Sequence, residues 1–348
     1  MEKSRRKFVK QAGLFSSIAF IPNSMNRNLL NVNEGNAIVG HGDFKYRVDK
    51  KWGIQDSAQF PVNDCHEMVF DKKNRLFMTT THPKNNVLVY DRSGKILDAW
   101  GTEFPGAHGL TLVEEGETEY LFITDPDSHK VCKTTLKGQI LFTLEAPKEI
   151  EEYTSPDLFK PTETTIAPNG DIYVADGYGL DFIIQYDAKG NYIRHFGGNG
   201  KGEDQFECCH GVLIDTRRPN KDELLITSRS ANEFKRFTLD GKHLETISLP
   251  GCWICRPVIK GEHLYFAVIV TKDWNSFDGM LAVLDEKNRI VSLPGGSMPT
   301  YQDGKLLPPQ YDQKTFFNPH DVCVDSDLNL YIPQWNSNKT YPIKLSKV

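Results

Sequence analysis

Four of the ten histidines open short apolar runs of the same shape. These are Cys65-His66-Glu67-Met68-Val69-Phe70-Asp71, Ala107-His108-Gly109-Leu110-Thr111-Leu112-Val113, Cys209-His210-Gly211-Val212-Leu213-Ile214-Asp215 and Pro319-His320-Asp321-Val322-Cys323-Val324-Asp325. Two more runs carry other residues at that place: Thr162 before Glu163-Thr164-Thr165-Ile166, and Arg256 between Cys255 and Pro257-Val258-Ile259. Neutral imidazoles are the usual ligands of Zn²⁺ and similar ions, and three protein ligands with an open position make a catalytic metal site. Such a metal polarises a substrate oxygen or lowers the pKa of a bound hydroxyl. A single histidine of this kind is more often a hydrogen-bonded core residue. Four in one register argue for a site.

The elements that would bring them together are repeats. From residue 66 the equivalent positions follow at intervals of 42, 54, 48, 46 and 64. The clearest unit is 169–215, in which β-branched and aromatic runs at 171–176, 182–187 and 192–196 are separated by Asp-Gly and Lys-Gly pairs. Such punctuation marks antiparallel strands with tight turns. Six units of four strands predict an all-β fold, a six-bladed β-propeller. The first strand of each blade lines a central channel, so His66, His108, Thr162, His210, Arg256 and His320 should form one ring. The segment FKYRVDKKW at 44–52 resembles a fourth strand, as 94–100 does, and is expected to complete the sixth blade and cover its edge. The Gly/Pro-rich insertion at 294–310 should lie over one face.

Two loops add chemistry. Asp176-Gly177-Tyr178-Gly179 ends a strand where a phenol can project over the channel, and Ser228-Arg229-Ser230 holds the corresponding place in the next blade. A tyrosine acts as a base only if a cation lowers its pKa from about 10, and an arginine can clamp a carboxylate with two hydrogen bonds. Turn packing and a surface ion pair are the structural alternatives for Tyr178 and Arg229. Arg256 is expected to hold an acidic group of the substrate, and His66 stands as a further candidate base.

These motifs resemble the NHL-repeat propellers, and among them the peptidyl-α-hydroxyglycine α-amidating lyase family. The likeness is loose over ~60–345 and good over 161–240. DIYVADGYG…IIQYDAKGNYIRHFG matches the family's catalytic-tyrosine loop, which implies a catalytic role for Tyr178. His-Gly-Leu at 108–110, His-Gly-Val at 210–212 and Pro-His-Asp at 319–321 match its zinc motifs, implying that His108, His210 and His320 bind zinc. ITSRSANEFKRF implies a family arginine at Arg229, and Asp321 with the Leu110 backbone match positions of a structural calcium. The chain also departs from the pattern. Thr79-Thr80-Thr81-His82-Pro83 holds no second catalytic arginine, Asn318 replaces a family methionine, and His66 and Arg256 are additions. His82 and Asn318 are therefore candidates for substrate contact.

The sequence favours a metal-dependent carbon–oxygen lyase performing β-elimination on a uronic-acid-containing oligosaccharide in polysaccharide breakdown. Zn²⁺ would hold the carboxylate with an arginine, and Tyr178 or a histidine would take the adjacent proton. One alternative is the amidating-lyase reaction, in which a base deprotonates a hydroxyl and a C–N bond breaks. Another is a non-catalytic NHL scaffold for protein or glycan, which would carry small or apolar residues on its inner ring. Hydrolysis by a metal-bound water uses the same ligands.

At 348 residues, with 39% hydrophobic and 25% charged content, the chain suits one large soluble β-domain. Its net charge of −5 and lack of Lys/Arg-rich runs in the folded part give no argument for nucleic acid. Past the N-terminus no apolar run approaches the ~20 residues of a membrane span. A monomer acting on a small anionic saccharide or peptide is expected. Ser4-Arg5-Arg6-Lys7-Phe8-Val9-Lys10 followed by the apolar 12–22 looks like a twin-arginine signal, the alternative being a basic tail. That implies export to the periplasm or beyond, with residues 1–40 as signal and linker and 42–348 as the propeller. No cysteine precedes Cys65, which argues against a lipid anchor. Seven cysteines cannot all pair, and Cys252-Trp253-Ile254-Cys255, a thioredoxin-like spacing in a β context, should give buried packing or one local disulfide.

Overall fold

The computed structural model describes residues 37–218, 221–269, 278–311 and 315–348. The segment expected to be an export signal falls at 1–36 outside the described residues, apart from its last few positions.

Short strands arise because the turns between them are chemically dictated. Asp71, Asp91, Asp187, Asp285 and Asp325 each end a strand, and Oδ1 of each accepts backbone N–H groups two and four residues on. The residue three positions on takes the left-handed backbone these turns require, for example Gly94 (φ 93) and Asn74 (φ 58). Chain reversal is thus fixed every few residues, which leaves room only for narrow antiparallel sheets.

Six such sheets form, so the chain is a six-bladed propeller. Blade one is built from Cys65–Phe70, Leu76–Thr80, Val87–Tyr90 and Ile96–Trp100. Blade two runs from Leu110–Glu115 to Ile140–Leu144, blade three from Glu163–Ile166 to Tyr192–Gly197, and blade four from Cys209–Ile214 to His243–Ser248. Blade five runs from Val258–Lys260 to Ile290–Ser292. Blade six joins the two ends of the fold: Cys323–Val324, Leu330–Ile332 and Ile343–Lys347 pair with Phe44–Asp49, as expected. A fifth strand, Ile38–His41, pairs outside Phe44–Asp49. The propeller sheet therefore starts a few residues before the expected boundary at 42, because Ile38–His41 covers the edge that Phe44–Asp49 would expose. The insertion at 294–310 contains a small hairpin, Tyr301–Gln302 with Lys305–Leu306, and Leu306 packs into the core between blades four and five.

The core is six wedges, one at each blade interface, rather than one mass. At the closing interface Tyr46, Val48, Leu330, Ile343 and Leu345 pack against Tyr265, Leu281 and Val283 of blade five. Val48 lies opposite Leu345 across the pair of strands that closes the ring. Leu345 is fully buried, so Leu345→Ala leaves a cavity and should destabilise the protein by about 2–5 kcal/mol. A denaturant titration giving less than about 1 kcal/mol would show that the closure tolerates loosening at this point. No described helix is long and apolar enough to cross a membrane.

All seven cysteines are free and buried. Of the two expectations for Cys252 and Cys255, buried packing is found and no disulfide joins them. Both thiols are core residues, and burial pushes each up to about 12.

Candidate active site

The first strands of blades one, four and six, or the residues just before them, carry His66, His210 and His320, and blade two presents His108 from the residues preceding its own. In blades one and four the pairing register shifts between Cys65 and Met68 and between Cys209 and Val212. These bulges interrupt strict alternation at the positions where the histidines stand.

The four imidazoles form one cluster. Ring centroids lie 4.6 Å apart for His66 and His108, 4.7 Å for His108 and His320, and 4.9 Å for His108 and His210. The ligand atoms of His66, His108 and His320 all lie within 4.8 Å of one another. His210 approaches through Nε2, 3.2 Å from Nε2 of His108. His66 therefore stands among possible ligands as well as being a candidate base. Burial drives all four to the neutral form: His66 is pushed down to about 3, with Arg229 adding to the effect, and the other three also lie well below the ordinary imidazole range. Neutral imidazoles are what a metal needs.

Second contacts set which nitrogen is free. His108 Nδ1 lies 2.8 Å from the Thr162 carbonyl and His320 Nδ1 lies 3.1 Å from the His66 carbonyl. A carbonyl only accepts, so each Nδ1 carries the proton and each Nε2 keeps its lone pair. Nε2 of His320 is buried with no hydrogen-bond partner. That orphaned acceptor fits a metal.

Tyr178 completes the geometry. Its hydroxyl oxygen is 3.2 Å from His108 Nε2 and 3.1 Å from His210 Nε2. With the 3.2 Å between the two nitrogens, three donor atoms form a nearly equilateral triangle. A tetrahedral metal with bonds of 2.0–2.1 Å has edges of about 3.3 Å, so the triangle has the size of one face of such a site. The residues present fit a zinc-like ion.

The loop carrying Tyr178 is held by Asp176, whose carboxylate accepts the N–H groups of Lys160 (2.5 Å) and Leu180 (2.6 Å) and the Tyr153 hydroxyl (2.7 Å). Burial pushes Asp176 up to about 7 despite these hydrogen bonds. Close packing explains the glycines on either side of the tyrosine. A Cβ at Gly177 would meet the Cys209 carbonyl at 2.5 Å, and one at Gly179 would meet Asp176 Oδ1 at 2.1 Å.

Arg229 is 1% exposed, and its guanidinium donates to the Tyr178 hydroxyl (3.2 Å), the Ile254 carbonyl (3.0 Å) and the Cys255 sulfur (3.5 Å). None of these partners is a carboxylate. The turn-and-surface alternative for this pair is excluded. The expected fall in the Tyr178 pKa is not found for the protein alone: burial pushes the phenol up to about 12, while Arg229 pulls the other way.

His82 lies in the turn after Leu76–Thr80, and its hydrogen bonds stay within that turn. Asn318 is fully buried with a left-handed backbone (φ 50), and neither side-chain polar atom has a partner. Arg256 is not available as a substrate clamp. Its guanidinium forms ion pairs with Asp321 (2.9 Å), Glu67 (2.9 Å) and Glu163 (3.4 Å) and donates to the carbonyls of Leu110 (3.0 Å) and Met68 (2.9 Å). The arginine expected to hold an acidic ligand thus faces three protein carboxylates, and the oxygens of Asp321 and Leu110 expected at a calcium site accept from its guanidinium. Sequence reasoning missed Glu67 and Glu163. A signal was present: the residues following the six ring positions include Glu67, Glu163 and Asp321, three carboxylates in register.

With fold and site together, the chain is an NHL-type six-bladed propeller with a polyhistidine centre, similar to peptidyl-α-hydroxyglycine α-amidating lyases and NHL-repeat proteins. A probable peptidyl-α-hydroxyglycine α-amidating lyase of Caenorhabditis elegans is 35% identical over 108 residues, 31% of this chain and 30% of that protein. Peptidylglycine α-amidating monooxygenase of Rattus norvegicus is 22% identical over 327 residues, 90% of this chain and 30% of that protein. NHL repeat-containing protein 3 of Homo sapiens is 28% identical over 180 residues, covering 49% and 51%. The chain thus spans about 30% of the length of the amidating enzymes it matches. No family model matches. Among solved structures a streptogramin B lyase covers 86% of this chain and 97% of its own, with TM-score 0.57 and 16% identity. A gluconolactonase of Xanthomonas campestris covers 87% and 90%, with TM-score 0.59 and 12% identity. These two establish the fold alone.

Proposed function

We propose that the protein is a metal-dependent lyase that cleaves the C–N bond of an N-acyl-α-hydroxyglycine, the substrate type named for its relatives. The observation that carries this reading is the Tyr178 hydroxyl, shared between His108, His210 and the buried Arg229. The sequence-based preference for a uronide rested on Arg256 as a carboxylate clamp, and its engagement with three carboxylates removes that support.

His108, His210 and His320 would hold the metal. When bound, it would supply Lewis-acid polarisation of the substrate's hydroxyl oxygen. The substrate hydroxyl loses its proton, the oxygen pair forms a carbonyl, and the C–N pair leaves on the amide nitrogen, which takes up one proton. The products are a primary amide and glyoxylate, and neither water nor an oxidant is consumed. Tyr178 Oη is the point of proton exchange. Arg229 suits the substrate's terminal carboxylate, since its buried guanidinium stands beside Tyr178 and none of its three hydrogen-bond partners is a carboxylate. The unpartnered amide of Asn318, two residues before His320, would contact the substrate as well. The paired arginines near the N-terminus support an exported location.

Incubation of zinc-loaded protein with N-benzoyl-α-hydroxyglycine should release glyoxylate in stoichiometric amount with the benzamide. No release from this substrate, together with a new absorbance from unsaturated uronates on acidic oligosaccharides, would overturn the proposal in favour of β-elimination.

A further inference from the structure

Six oxygens meet the Arg256 guanidinium in the channel. Asp321 accepts from Nε and from one terminal nitrogen, both at 2.9 Å. The carbonyls of Leu110 and Met68 accept at 3.0 and 2.9 Å, and carboxylate oxygens of Glu67 and Glu163 stand at 2.9 and 3.4 Å. Arg256 comes from blade five, whereas these oxygens belong to blades one, two, three and six. The same oxygens tie blades to each other: Asp321 accepts the Met68 N–H (2.9 Å) and Glu67 accepts the Leu110 N–H (2.7 Å). Carboxylates and backbone carbonyls, six to eight in number, are also what a Ca²⁺ ion collects.

We propose that Arg256 is the resident cation of this channel site and replaces a bound divalent ion there. A guanidinium presents five N–H donors in a fixed fork, so it satisfies several acceptors that a single ammonium could not reach. Its place is prepared by Gly211, where a Cβ would lie 2.7 Å from Arg256 Cα and 2.9 Å from its Cβ. Any side chain at 211 would push the arginine stem away. With the guanidinium donating into these oxygens, a calcium ion would have to displace it to use them. Among the described residues, that leaves the histidine cluster as the candidate metal site. Removing the guanidinium converts the site into a calcium site of three carboxylates and two carbonyls. This inference is independent of the substrate proposed above.

The test compares wild-type full-length protein with Arg256→Ala in buffer freed of calcium and supplemented with zinc, then with calcium added in large excess. The wild-type midpoint should stay constant to within about a degree and bind no terbium, whose luminescence reports calcium sites. Arg256→Ala should unfold at much lower temperature without calcium, recover by about 5 °C or more with it, and bind one terbium. Calcium stabilisation of the wild type, or an Arg256→Ala midpoint unchanged from it and indifferent to calcium, overturns the proposal. Should Arg256→Ala fail to fold in both buffers, Arg256→Lys decides. A wild-type midpoint there refutes the role of the fork, and a lowered midpoint without calcium response supports it.

Discussion

His108→Ala should leave the purified protein with essentially no stoichiometric metal and reduce turnover on N-acyl-α-hydroxyglycine by roughly three orders of magnitude, since Lewis-acid stabilisation is worth several kcal/mol. His108 is the pivot of the cluster: its Nε2 lies 3.2 Å from both His210 Nε2 and the Tyr178 oxygen, and its ring packs against His66 and His320. Its lone pair is aimed by the Thr162 carbonyl. His210→Ala and His320→Ala should behave alike in metal content. His66→Ala should retain metal if the ligands are His108, His210 and His320, as proposed above, although His66 also stands within reach of His108 and His320. Metal analysis of the four variants decides the ligand set. Full metal loading in His108→Ala would remove the basis for a metal centre here, and loss of metal in His66→Ala with retention in His210→Ala would assign the set His66, His108 and His320. Chelation of the wild type should abolish turnover, and zinc alone should restore it.

The parts of this site that could be read from sequence are those fixed by backbone register. A histidine side chain is short, so once each repeat is aligned its ring can reach only a small region near its own Cα. Four equivalent positions then converge because the blades do. Arg256 shows where that reasoning fails. It occupies a ring position, yet its long stem carries the guanidinium away from the imidazoles to carboxylates contributed by three other blades. Register places its Cα and leaves its charge undetermined. Glu67 was hidden by a related effect, since alternation along a strand argues against two consecutive residues near the same channel, and the shift between Cys65 and Met68 interrupts that alternation.

The fold was legible for the same reason as the histidines: turn chemistry and strand length repeat, and six repeats close a ring. Ile38–His41 was not, because four residues ahead of a predicted strand carry no periodicity to distinguish them from a linker. Tyr178 was legible as a projecting residue from its flanking glycines, but its ionisation was not. The sequence offers nearby cations, whereas the structure weighs them against burial, and burial outweighs Arg229.

Tyr178→Phe should fold, keep its metal and lose roughly 10²–10⁴ in turnover, the usual cost of removing one proton-transfer group. The substitution deletes a single oxygen. The ring stays in contact with His108 and His210, with centroids 5.2 and 5.5 Å away, so packing should be preserved. Arg229 loses one of its three hydrogen-bond partners but keeps the Ile254 carbonyl and the Cys255 sulfur. A modest stability loss of about 1–3 kcal/mol would follow from that. Because the phenol acts on the proton and not on the carboxylate, kcat should fall while KM changes little. Arg229→Ala should show the opposite emphasis, weakening carboxylate substrates more than their carboxamide analogues. Equal kcat in Tyr178→Phe and wild type would rule out the phenol and transfer the proton step to the neutral imidazole of His66, whose ring stands 4.6 Å from that of His108. A fall in kcat accompanied by metal loss would instead make Tyr178 a ligand, the remaining vertex of the triangle it forms with His108 and His210.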